Sequence, residues 1–215
     1  MIPNPVMRIL LVDDHSIVRD GIKRMLEPRA SDISFGEADS RNAALRLAQE
    51  REWDVLVLDL SLADGSGLDI LRDLKKTRPR LPVLVFTMHS EEHYARRAFK
   101  AGASGYVTKN SSSAELLSAI QKVRSGSKYV SPTLVEKLLF DYERGEYGPL
   151  HESLSDREFE VLCLLSSGKT VGQVAKLLCL SDRTISTYRL RILQKMDMRT
   201  NADLTRYAIQ NKLVS

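Results

Sequence analysis

The sequence predicts an α/β fold, a doubly wound five-stranded parallel sheet, followed by a second, smaller all-α domain built on a helix-turn-helix. Three observations carry this expectation. Five short apolar runs alternate with helical stretches as far as about Ser125, and several of those runs end on polar groups of complementary chemistry. From Ser153 the pattern becomes wholly helical, with capping residues before the first three helices.

The first run, Arg8-Ile-Leu-Leu-Val12, ends on Asp13 and Asp14. A continuous Val, Ile and Leu run this short reads as a parallel strand buried on both faces. The acids then emerge at its carboxyl end, the edge where open α/β sheets bind ligands. Strands are expected near residues 8–13, 33–38, 55–59, 83–87 and 105–108, and helices near 16–27, 40–50, 66–77, 91–101 and 112–125. Val55-Leu-Val-Leu58 ends on Asp59, Val83-Leu-Val-Phe86 on Thr87, and Gly105-Tyr-Val-Thr108 on Lys109. Clustered carboxylates repel one another unless a cation sits among them, and hard oxygen ligands suit Mg²⁺. The expectation is a metal site beside a place for a phosphate-sized anion.

Between Gly126 and Leu150 the text changes to Ser131-Pro132, an amphipathic stretch from Thr133 to Tyr142, and Arg144-Gly-Glu-Tyr-Gly-Pro149, which reads as a linker with room for one helix. Ser155-Asp-Arg-Glu158 is a capping box ahead of Phe159, Leu162, Cys163 and Leu165. Gly168 ends that helix. Thr170 caps a short helix through Leu178, and after a turn at Cys179-Leu180, Ser181 caps another running to about Met196. Two helices about such a turn form a helix-turn-helix, with a last helix from about Asn201 packed behind. The expected division is residues 1–128, a linker over 129–150, and 151–215.

At 215 residues, 43% hydrophobic and 28% charged, the chain is long enough for two modest cores. No apolar stretch approaches the roughly 18 residues of a membrane span, and no signal peptide precedes the first strand, so a cytoplasmic protein is expected. Cys163 and Cys179, without metal-ligand spacing, are expected as buried thiols. From Leu150 onward ten bases face seven acids, an excess of three out of the chain's net +4, which is consistent with a nucleic-acid partner for the second unit.

Over nearly its whole length the chain resembles a known family. Val12-Asp-Asp-His15, Asp59, Thr87 and Lys109 resemble the receiver domain of two-component response regulators, a flavodoxin-like fold. Leu154-Ser-Asp-Arg-Glu158, Gly168-Lys-Thr170, Val174-Ala175, Leu180-Ser-Asp-Arg-Thr-Ile185, Ile192, Lys195-Met196 and Arg199 resemble the LuxR-type helix-turn-helix. Together they are similar to the NarL/FixJ subfamily. The resemblance implies that Asp59 accepts a phosphoryl group from a sensor histidine kinase, with Mg²⁺ held by Asp13, Asp14, Asp59 and the backbone carbonyl of Ser61. It also implies that Lys109 pairs with the acyl phosphate, that Thr87 bonds one of its oxygens, and that Tyr106 turns inward behind Thr87 as a switch. A homodimer binding promoter DNA follows from the same resemblance, with no membrane association and no enzyme activity in the usual sense.

In the second unit Ser181 to Met196 is the expected recognition helix. Ile185, Ile192 and Met196 follow helical spacing and should face the core, turning Arg183, Ser186, Thr187, Leu190 and Arg191 outward. Arg183 and Arg191 are candidates for base or phosphate contact, whereas Arg189 and Lys195 fall on the flanks and are placed toward phosphates. The chain departs from the family pattern at Ser186, where lysine is common, at Val171-Gly172-Gln173 and at Tyr188. It also lacks the proline often found at Ala63 and after Lys109, where Asn110 stands. His15, His89 and His93 are expected at the surface or the rim of the site. Two other classes stay open at this point. A haloacid dehalogenase-like phosphatase also uses an aspartate at a strand end, but carries a second acid two residues on, where this chain has Ser61. A protein-interaction module that has lost DNA binding is the other.

Overall fold

The structure is a computed structural model, and it describes residues 6–26, 33–62, 65–88, 91–132, 134–136 and 149–214. Ala63, His89, the side chain of His93 and most of the expected 133–142 helix and 144–149 segment lie outside the described residues. Two compact units divide the chain, Met1–Lys137 and Leu138–Ser215.

In the first unit the strands are β1 (Met7–Val12), β2 (Ile33–Ala38), β3 (Val55–Leu58), β4 (Val83–Thr87) and β5 (Gly105–Thr108). They form one parallel sheet in the order β2-β1-β3-β4-β5. The helices are α1 (Ser16–Leu26), α2 (Arg41–Glu50), α3 (Gly67–Thr77), α4 (Glu91–Lys100) and α5 (Ser113–Arg124). Each expected strand and helix is present, with ends displaced by no more than one residue where they are described. Alternation along the strands divides the core. Met7, Ile9, Leu11, Val55, Val57, Leu84, Phe86 and Val107 pack with Ile22 and Leu26 of α1 and Leu116, Ile120 and Val123 of α5. Their neighbours Leu10, Val12, Leu56, Leu58, Val85 and Tyr106 are as deeply buried and point to the opposite face.

This order reverses direction at β1, so the carboxyl ends of β1 and β3 flank a topological switch point. Register brings Val12 beside Leu58, Leu58 beside Val85, and Thr87 beside Thr108. The polar groups that follow these strands therefore share one edge. Between β3 and α3 lies an antiparallel two-residue pair, Ser61–Leu62 with Gly65–Ser66, which strand patterning does not anticipate. Gly67 closes it by close approach: a Cβ there would lie 2.4 Å from the Leu60 Cα. After α5 the chain returns along β5, where Tyr129 bridges Gly105 and its hydroxyl donates to Glu115 Oε1 at 3.0 Å.

The second unit opens on a 3-10 turn, Leu150–Ser153, followed by α6 (Asp156–Ser166), α7 (Val171–Leu177), α8 (Asp182–Lys195) and α9 (Asn201–Gln210). The expected capping box is formed: Ser155 accepts from the Glu158 N–H and Glu158 reaches back to the Ser155 N–H. Thr170 with Gln173 and Thr200 with Asp203 repeat it, and Ser181 caps α8. Phe159, Leu162, Val174, Ile185, Ile192, Met196, Leu204 and Ala208 fill the core. His151 is buried against Phe159, with its Nδ1 2.9 Å from the Tyr207 hydroxyl. The turn between α7 and α8 contains Cys179 at φ 52°, a left-handed conformation that turns its side chain out. Cys179 is thus exposed rather than buried as its apolar neighbours imply, while Cys163 is half-buried.

Candidate functional site

Backbone pairing brings the acids together. Asp13 N–H donates to Ala38 O and Asp59 N–H to Val12 O, so each begins where its strand leaves the ladder. Both carboxylates are 3% exposed. Lys109 arrives from the end of β5, its own N–H bonded to Thr87 O. Its ammonium lies 2.6 Å from Asp13 Oδ2 and 2.7 Å from Asp59 Oδ2, bridging them. Burial works against the charge on Lys109, but hydrogen bonds and attraction from Asp13 and Asp59 outweigh it and hold its pKa above the ordinary lysine value.

The rest of the pocket is acidic. Asp13 Oδ1 accepts the His15 N–H at 2.8 Å, Asp59 Oδ1 accepts the Ser61 N–H at 3.2 Å, and Asp14 Oδ1 lies 2.7 Å from His15 Nδ1. Atoms of Asp13, Asp14, His15 and Asp59 able to bind a metal all lie within 4.8 Å of one another. Three carboxylates set against the single Lys109 ammonium leave an excess of two negative charges. Hard oxygen donors with that excess fit a divalent cation such as Mg²⁺. Thr87 is fully buried at the next strand end, and among the described residues its hydroxyl has no hydrogen-bond partner. An unpaired buried hydroxyl, on the strand end to which the Lys109 backbone is bonded, suits an anionic oxygen. Tyr106, in the strand beside Thr87, is wholly buried.

The second unit presents a separate surface. Along α8, Ile185, Ile192 and Met196 are buried, and Arg183, Ser186, Thr187, Leu190 and Arg191 are exposed, the division that helical spacing predicts. Arg183, Thr187 and Arg191 line one concavity. Arg189 is half-buried and its Nε donates to Asn201 Oδ1. Lys195 is engaged too: its ammonium lies 2.6 Å from Glu158 Oε2, the carboxylate of the first capping box. Burial alone would raise the Glu158 pKa, but the hydrogen bond from Lys195 and those from Ser155 hold it below the ordinary value. This pair was missed in the sequence, as were His15 against both acids and Arg19, whose guanidinium donates to the Asp13 carbonyl. The signal available for His15 was its adjacency to Asp14; for Lys195 and Glu158 there was none, because helix packing sets their meeting.

Comparison with known proteins agrees with both surfaces. Residues 9–121 match the response regulator receiver domain, and residues 152–208 match the bacterial regulatory proteins of the luxR family. The chain is 33% identical over 210 residues to the response regulator GacA of Pseudomonas aeruginosa, covering 97% of this chain and 98% of the relative. It is 30% identical to the response regulator UvrY of Escherichia coli K12, covering 97% of this chain and 96% of UvrY. Among solved structures it resembles RcsB of Salmonella enterica serovar Typhimurium bound to a promoter in the presence of the phosphomimetic BeF₃⁻, at 28% identity and a TM-score of 0.65 over 94% of this chain and 98% of that one.

Proposed function

Because the chain belongs to the response regulators that join a receiver domain to a LuxR-type helix-turn-helix, we propose that phosphorylation of Asp59 by a sensor histidine kinase controls its binding to promoter DNA. The observation that carries this reading is Lys109 bridging two buried carboxylates, with the unpaired hydroxyl of Thr87 at the adjacent strand end. The receiver spans residues 1–128 and the DNA-binding domain 151–215, joined by a linker over 129–150. The protein works in the cytoplasm, free of the membrane; among its described residues no helix is long and apolar enough to cross one.

A carboxylate oxygen of Asp59 attacks the phosphorus of a phosphohistidine, the P–N bond breaks, and a mixed anhydride forms. Such transfers depend on positioning and charge neutralisation more than on covalent chemistry from many side chains. Mg²⁺ held by Asp13, Asp14, Asp59 and the Ser61 carbonyl would neutralise charge on the phosphoryl oxygens. Lys109, already on Asp59, passes to one such oxygen, and Thr87 donates its hydroxyl to another. With Thr87 drawn toward the anion, the packing around the buried Tyr106 ring in the adjacent strand changes, and the local charge event is passed on to the surface. Asp59 is modified stoichiometrically, so the protein is a switch and not a turnover catalyst.

The output is a homodimer whose two recognition helices enter successive major grooves at half-sites about one helical turn apart. Arg183 and Arg191 reach base edges or phosphates, with Ser186, Thr187 and Leu190 on the same face. Arg189 and Lys195 meet phosphates at the flanks, Lys195 by exchanging Glu158 for the DNA backbone. Serine at position 186 removes one cation from this contact.

The test is a Phos-tag mobility assay of wild type and Asp59→Asn with acetyl phosphate, with and without Mg²⁺. A Mg²⁺-dependent shift absent from the variant is the expected result. Equal promoter affinity in both phosphorylation states counts against the switching part of the reading.

A further inference from the structure

The exposed stripe of α8 is mixed in chemistry. Arg183, Thr187, Leu190 and Arg191 follow at helical intervals and so lie along one side. Among the described residues neither the Arg183 nor the Arg191 guanidinium has a hydrogen bond or ion pair, and Leu190, next to Arg191 in sequence and almost in line with Arg183 along the helix, is 57% exposed. Thr187 has already committed its proton, because its hydroxyl donates to the Arg183 carbonyl at 2.9 Å. The stripe therefore holds a hydroxyl with only acceptor capacity between its two cations, and an exposed isobutyl group beside the second of them. A single exposed leucine is ordinary on a protein surface. On a face whose cations draw it against DNA it becomes a constraint.

When the cations hold phosphates or guanines, the Leu190 side chain is pressed against base edges and loses its water. Across the major groove, guanine offers two acceptors, cytosine a donor, and adenine both; only thymine offers an apolar group, its C5-methyl. Over any other base the leucine would cover polar atoms and leave them unpaired, a penalty on the wrong sequence as well as a gain on the right one. We propose that Leu190 is a specificity-determining residue that reads a thymine methyl in each half-site; this rests on the DNA-binding reading above. Arg183 and Arg191 then set position, and the base opposite Leu190 is selected by shape and apolar contact rather than by hydrogen bonds.

The experiment uses the full chain after incubation with acetyl phosphate and Mg²⁺. Duplexes selected from a random pool identify the half-site, and each thymine in it is then replaced singly by deoxyuridine, which lacks only the methyl. At one position per half-site the substitution should weaken binding about fourfold, the factor for one buried carbon. Leu190→Ala, at an exposed site that leaves the fold unaltered, should bind the thymine site roughly tenfold more weakly. It should also bind thymine and deoxyuridine duplexes equally, which separates methyl reading from a general loss of affinity. Wild type indifferent to deoxyuridine at every position, or selected half-sites without a thymine in common, overturns the assignment while leaving DNA binding intact. Failure to enrich any duplex in a salt-dependent way overturns both readings together.

Discussion

Replacing Lys109 by methionine should destabilise the first unit in a way that Mg²⁺ repairs. The ammonium lies 2.6 and 2.7 Å from two carboxylates that are each 3% exposed. At an effective dielectric of about 20 each contact is worth roughly 6 kcal/mol of gross attraction. Burying the three charges offsets most of that, yet removing one partner of a buried cluster leaves uncompensated charge and costs about 3 kcal/mol net. Methionine keeps the apolar stem, so the loss isolates the charge. Trp53, the only tryptophan in the chain and 6% exposed within the first unit, reports that unit's unfolding alone. Urea titrations followed by its fluorescence should place Lys109→Met about 3 kcal/mol below wild type without divalent cation. Millimolar Mg²⁺ should narrow the gap, because the variant has lost the ammonium that competes for the same oxygens and binds the cation more tightly. A gap of equal size with and without Mg²⁺, or none without it, would refute the view that Lys109 neutralises a cation-binding acid cluster.

Three further outcomes are expected. Thr87→Val removes a buried hydroxyl that has no partner, so resting stability should be unchanged or up to about 1 kcal/mol higher by Trp53 fluorescence, while the promoter response to phosphorylation shrinks. Glu158→Gln should lower the stability of the second unit by about 2 kcal/mol at neutral pH, read by calorimetry as the transition to which Trp53 is silent. Since the folded-state pKa of Glu158 is depressed, its contribution is present above the ordinary value of 4.5 and lost as pH falls through the lower one; the wild type should show that acid loss and the Gln variant should not. Gly172→Ala, where the new methyl would meet only Asp182 at 3.6 Å, should raise the second transition by about 0.5–1 kcal/mol in the same experiment.

What could be read from the sequence was whatever neighbours in the chain determine. Ser155, Thr170 and Ser181 cap helices that begin at the next residue, and the apolar runs of β1, β3 and β4 deliver Asp13, Asp59 and Thr87 to one edge because parallel strands in a doubly wound sheet share their carboxyl ends. What could not be read depends on distant parts meeting. Lys109 bridges acids 96 and 50 residues away, and Glu158 finds Lys195 across 37. The short pair at Ser61–Leu62 and Gly65–Ser66 depends on Gly67 fitting against Leu60, which alternation does not encode. Cys179 has apolar neighbours on both sides, but the left-handed turn reverses what they imply.

The two unfinished features of the first unit belong to one event. The acid cluster has an excess of negative charge that calls for a divalent cation, and the Thr87 hydroxyl lacks an acceptor. Neither is satisfied by the other, because Lys109 stands on Asp13 and Asp59. On the proposed reading, a phosphoryl group on Asp59 would bring oxygens that Thr87 and Lys109 can both use, and the hydroxyl's desolvation penalty of roughly 1–3 kcal/mol would be recovered in that form. Coupling free energies between sites are of that same size, roughly 1–3 kcal/mol. Full burial of Tyr106 in the strand beside Thr87 gives that energy a packed element to act on. A resting state that leaves one hydroxyl unpaired therefore holds enough free energy to shift a two-state surface by roughly five- to 150-fold, without any new contact between Asp59 and the DNA-binding helices.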